Sequence, residues 1–191
     1  MHYFAVIILL PLYTQAHYGS VTSFEIAVII AGHTAGFIFG YSQIEFLVRR
    51  FGIKTILNLG FILLTVSSFA LWHSTKDFSR ASDFAAANFL SRLFGGIGCG
   101  LLNTACLISR GARSEETDAE TVQKYFRQHM AGEALGYMLG PITVLCVYEY
   151  RQTEGVFFYL AMMCSFVWML SVFIMTLDYC FTTKEPEQNA N

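Results

Sequence analysis

Six apolar runs, each bounded by a short polar stretch, constrain this chain more than any other feature of its sequence. They cover residues 3–17, 24–47, 55–73, 84–109, 126–148 and 156–181. A helix needs roughly 20 mostly apolar residues to cross the hydrocarbon of a bilayer. All but the first run come close to that length or exceed it. In hydrocarbon the backbone must satisfy its own N–H and C=O groups, which leaves helices and closed barrels. These runs are too long for barrel strands and lack the in–out alternation of a barrel wall. The expected fold class is therefore all-α, a multi-pass membrane helical bundle.

Composition agrees. Hydrophobic residues make up 54% of the 191 and charged residues only 14%, whereas soluble domains carry about 25% charged residues. So much apolar surface excludes disorder. So little charge argues against an ordinary soluble enzyme. The net charge of −2 gives no electrostatic basis for a nucleic-acid partner. Five cysteines are spread along the apolar runs with no CxxC or Cys/His cluster at ligand spacing. No disulfide scaffold, metal site or redox cofactor is expected from them.

Two readings stand for the run at 3–17. One is a first transmembrane helix cut short at its start, because only two residues precede it. The other is a signal sequence with Thr14-Gln15-Ala16 as its cleavage site, although Met1-His2 supplies no basic leader. Orientation follows the distribution of Lys and Arg in short loops. Arg49, Arg50, Lys54, Arg110, Arg113, Lys124, Arg127 and Lys184 fall on one side; Lys76, Arg80 and Arg151 fall on the other. The richer side is expected to be cytoplasmic, with both termini and the polar tail 182–191. Thr117 and Glu120 have capping-box spacing, which points to a short interfacial helix leading into the fifth span.

Small residues recur every four positions on single helix faces. They are Gly32, Gly36 and Gly40 in the second run, Gly96 and Gly100 in the fourth, and Gly132, Gly136 and Gly140 in the fifth. Such faces let helix backbones approach closely. They serve either static packing or sliding during a conformational change. Pro141 follows Gly140 and should kink the fifth helix there. Three ionisable residues lie deep in the runs: His33, Arg92 and Glu133. A charge at bilayer depth costs about 2.5–3.5 kcal/mol on insertion scales. Arg92 cannot shed its proton and must be paired or hydrated. Asn88, Asn103 and Thr104 on the fourth run, with Tyr41 and Gln43 on the second, are candidates to line the same pathway.

These residues resemble the motifs of the major facilitator superfamily. The stretch Arg92-Leu-Phe-Gly95-Gly96-Ile-Gly98-Cys-Gly100 is similar to its R-x-x-x-G-x-G-x-G signature. Gly136-Tyr-Met-Leu-Gly140-Pro141 is similar to its g-x-x-x-G-P motif. Leu47-Val-Arg49-Arg50-Phe-Gly52-Ile-Lys54 resembles its loop motif D-R-x-G-r-k between the second and third helices, with Arg49 in place of the acid. The order of the motifs also fits. Within the family, the nearest flavour is the vesicular amine and polyamine transporter branch.

The resemblance implies one six-helix half of a major facilitator fold, with a second half supplied in cis or by a dimer. It further implies a transporter moving a small organic solute by alternating access, with proton coupling as one form of that activity. Arg92 then matches a buried arginine linked to proton coupling, and Arg50, Gly52 and Lys54 match a gating loop. Gly136, Gly140 and Pro141 match the interface between halves. The alternative is a non-transporting relative that binds or regulates a full-length partner. An intramembrane enzyme is disfavoured, since neither a GxSG nucleophile nor an HExxH pair is present.

Overall fold

The computed structural model describes the backbone of residues 2–18, 21–77, 80–112 and 119–182, and the side chains at part of those positions. All regular structure among them is helical: α1 (His2–His17), α2 (Ser23–Phe51), α3 (Ile53–Asp77), α4 (Ala81–Ala112) and α5 (Ala119–Thr182). By length and hydropathy Ser23–Phe51, Ile53–Ser74 and Ala81–Ile108 can each cross a bilayer.

Local chemistry sets the helix ends. Thr22 caps α2: its hydroxyl accepts from the Glu25 N–H (3.3 Å), and the Glu25 carboxylate accepts from the Thr22 N–H (2.7 Å). This reciprocal capping box satisfies two amides that the helix start would leave open. At the other end Gly52 has φ +78°, a conformation that glycine adopts without strain. Its N–H bonds the Val48 carbonyl at 2.9 Å. That single residue reverses the chain between α2 and α3. In α1, Pro11 contributes no N–H;. One turn later the Thr14 hydroxyl donates to the Leu10 carbonyl.

The contacts fix helix directions. Gly32, Gly36 and Gly40 of α2 lie against Phe89, Leu93 and Ile97 of α4, so residue numbers rise together and the two helices are parallel. Gly60 meets Gly98, while Ser67 meets Ser91 and Ser74 meets Asn88. Numbers run oppositely there, and α3 is antiparallel to α4. Thus α4 is flanked by α2 and by α3.

Two apolar clusters close the ends of this packing. Leu9, Leu10, Tyr13, Ile29, Leu71, Phe84 and Val156 form one. Ile44, Ile56, Leu101 and Ala105 form the other. Large apolar side chains such as Phe24, Ile38, Phe39, Val66 and Phe94 stay exposed. Such a surface suits hydrocarbon and not water.

One element departs from the sequence expectation. The two runs at 126–148 and 156–181 were expected as separate helices, but α5 continues through both and through Pro141. The polar stretch between them has no proline. Glu149, Arg151, Gln152 and Glu154 are good helix formers, and Gly155 alone costs only about 1 kcal/mol. Local propensity therefore does not end the helix. The second half of α5 is the packed half: Val156 and Ala161 are buried, Phe158 contacts Trp72 at 5.0 Å, and the Ser68 hydroxyl reaches Cys164 Sγ at 3.6 Å. In the first half, Met130, Leu135, Met138, Leu139, Ile142 and Leu145 are exposed. Thr117 lies outside the described residues, as does the tail from residue 183 onward.

Candidate functional site

A helix turns about 100° per residue, which divides α4 into sectors. Asn88, Ser91, Gly95 and Gly98 share one stripe, and three of them contact α3. Phe89, Leu93, Gly96 and Gly100 share a second stripe, and all four lie against α2. Arg92 falls between the stripes, roughly 75° from each. Leu90 and Phe94 lie on the opposite sector and are exposed. Arg92 is fully buried, with 0% of its surface accessible.

The α2 stripe works by backbone approach. A methyl group added at Gly36 would strike the Leu93 carbonyl, and one at Gly96 would strike the His33 carbonyl. At Gly40 and Gly100 the obstructing oxygens are those of Ile97 and Phe37, each 2.5 Å from such a methyl. Two helices this close make Cα–H···O contacts and lock in register. His33 is brought to Arg92 by this packing. Its ring reaches the Arg92 backbone, and the guanidinium charge acts on it.

The α3 stripe works through hydroxyls. Ser67 donates to the Ser91 carbonyl at 2.8 Å, and Ser91 donates to the Ser67 carbonyl at 2.8 Å. All four groups are buried. One heptad along α3, the Ser74 hydroxyl donates to the Leu71 carbonyl at 2.7 Å and lies 3.2 Å from Asn88 Oδ1, while Asn88 Nδ2 donates to the Phe84 carbonyl at 2.8 Å. Asn88 therefore sits in the α3–α4 packing, with its amide N–H bonded within α4. The centre of the bundle is polar, and the two apolar clusters lie on either side of it along the helices.

The remaining residues singled out from the sequence are distributed as follows. Asn103 and Thr104 are half-buried farther along α4, and the Thr104 hydroxyl donates to the Gly100 carbonyl at 2.9 Å. Tyr41 and Gln43 are exposed and lie apart from Arg92. Gly132 has nothing within 4 Å of a methyl placed on it. Glu133, Gly136, Gly140 and Pro141 lie in α5, and their surroundings fall outside the described residues. Arg50 belongs to the last turn of α2 and sits over the Phe51 ring at 5.6 Å. Lys54 is in the first turn of α3, so the connection between α2 and α3 reduces to one residue, Gly52. Glu45 pairs with Arg49 at 2.5 Å on the exposed face of α2. Among the described residues, no three metal-ligating side chains come together.

The sequence reading missed Gly60, Ser67, Ser74 and Ser91. A signal was available: 60, 67 and 74 repeat every seven residues, the interval at which small residues line one helix face.

The family model of the Major Facilitator Superfamily matches residues 1–190. A search of curated proteins found no match, and a search of solved structures found none. The match reaches the superfamily and does not narrow the chain to the vesicular amine and polyamine branch.

Proposed function

This chain belongs to the Major Facilitator Superfamily, and from that premise we propose that it forms one helical bundle of a secondary transporter for a small organic solute. Members of this family are transporters that work in the lipid bilayer. The proposed mode is alternating access, in which one bundle rocks against another around a central site. The second bundle comes from the same polypeptide or from a second copy.

The observation that carries the reading is Arg92. A permanent cation fully buried between apolar helices is expensive at bilayer depth and marks a pathway by default. His33 lies beside Arg92. In this reading Arg92 repels protons or holds an anionic group as the site changes its exposure. His33 is its immediate neighbour, Asn103 continues the polar sector, and Glu133 of α5 is proposed for the same pathway from the sequence alone. Gly52 lets the α2–α3 joint turn, with Arg50 and Lys54 on either side at the cytoplasmic face.

The test is reconstitution in liposomes with an entrapped pH-sensitive dye, using a panel of small organic amines and carboxylates as probes. At least one probe is expected to move protons or itself across the bilayer. Arg92→Ala is expected to insert normally and lose more than nine-tenths of that flux. Flux at the native rate in Arg92→Ala rejects the role of Arg92. A chain that moves no probe, alone or with its second bundle, rejects the transporter reading.

A further inference from the structure

We propose that Ser67 and Ser91 are positioning residues for Arg92: their reciprocal hydrogen bonds set the rotation of α4 about its own axis. The importance of that rotation for transport rests on the reading of Arg92 given above; the placement itself does not.

Arg92 lies between the stripe that meets α2 and the stripe that meets α3. The opposite sector, Leu90 and Phe94, is exposed. Rotation of α4 away from its partners would carry a permanent cation toward hydrocarbon. The glycine stripe against α2 resists approach and tilt, because Gly36 and Gly96 already touch backbone oxygens. It also limits rotation, since turning α4 would bring side-chain-bearing neighbours such as Leu93 onto the α2 backbone. The α3 side adds a directional restraint. Ser67 and Ser91 each donate to the other's main-chain carbonyl at 2.8 Å, with their hydroxyl oxygens 3.4 Å apart.

Two such bonds tie side chain to backbone in both directions, so neither helix can turn without breaking both. In hydrocarbon no water replaces a lost bond, and the freed groups must find other partners. Ser91 is also the residue before Arg92, so the restraint acts one position from the charge. Ser74 meets Asn88 one heptad along α3 through their side chains.

Native Cys99 makes the test direct. It follows Arg92 by seven residues on the same sector and is half-buried. With the other cysteines changed to serine, a nitroxide on Cys99 reports the sector of Arg92. A nitroxide on Leu90→Cys, in a chain lacking Cys99, reports the lipid sector. Collision with oxygen is measured for both in phosphatidylcholine bilayers. With native serines, low accessibility is expected at 99 and high accessibility at 90. In Ser67→Ala/Ser91→Ala the difference is expected to fall by at least half. Labels that keep their native values overturn the proposal, because purely stabilising bonds would lower the yield and leave the pattern intact.

Should the double alanine chain fail to insert, Ser67→Cys/Ser91→Cys takes its place. Copper phenanthroline is expected to cross-link that pair within minutes in the membrane, and the absence of a cross-link overturns the proposal. Transport enters neither measurement. An Arg92→Ala chain with native flux would reject the role of Arg92 and leave the positioning result standing.

Discussion

At the scale of single residues, the glycines of this chain divide into two populations that their spacing alone does not separate. Gly36 and Gly96 have backbone oxygens where a side chain would go, whereas Gly132 faces open space. Gly36→Ala and Gly96→Ala should each destabilise the detergent-solubilised protein by about 1–3 kcal/mol, the usual range for overpacking. Gly132→Ala should be neutral or slightly stabilising, because alanine is the better helix former by about 1 kcal/mol. Thermal unfolding followed by thiol exposure distinguishes them, and equal melting temperatures for all three variants would contradict the packing described. The Glu45–Arg49 pair offers a contrast. Both side chains are at least three-quarters exposed, and exposed pairs contribute about 0–1 kcal/mol. Glu45→Gln should leave the melting temperature nearly unchanged.

At the scale of elements, α5 poses a problem of length. Its 64 residues at 1.5 Å each come to about 96 Å, three times the roughly 30 Å hydrocarbon thickness. Only about a third of it can lie within one bilayer crossing. The polar residues 149–155 are the natural place for it to reach water, between an apolar half that packs on α1 and α3 and one whose described large apolar residues are exposed. A cysteine at Gln152, in a chain without its native cysteines, should react with a membrane-impermeant maleimide. The charge distribution predicts labelling from the non-cytoplasmic side only. Protection of position 152 on both sides of the membrane would show that this stretch is embedded. Labelling from the cytoplasmic side would reverse the orientation.

At the scale of the whole molecule, the arrangement is a polar centre between two apolar ends, with α4 held on both sides. Such a body transmits motion without deforming, since backbone contacts and paired hydroxyls leave α2, α3 and α4 little freedom to slide. Conformational change is then expected at the edges, where α1 and α5 meet this unit through side chains such as Tyr13, Val156 and Phe158. Hydrogen exchange on the protein in lipid nanodiscs should show slower exchange across Gly36–Ile44 and Ser91–Gly100 than across residues 130–148. The reverse order would indicate that the glycine faces open and close.

The sequence alone determined the class of this protein, because hydropathy is a local property. Runs of apolar residues with few charges read as membrane helices whatever they pack against. The glycine periods, Arg92 and the R-x-x-x-G-x-G-x-G stretch were equally visible, since each is a pattern along one helix. Which faces meet was not visible, since partner choice depends on the rotation of two helices at once. That is why Ser67 and Ser91, 24 positions apart, went unnoticed, and why Asn88, a candidate for the pathway, turned out to lie against Ser74. The continuation of α5 through residues 149–155 belongs with them. Short-range propensity permits both a helix and a loop there, so the choice lies outside the reach of any local pattern. Tertiary structure decided these points for one physical reason: hydrogen bonds and backbone contacts between helices are set by position in space, and a linear sequence does not carry that position.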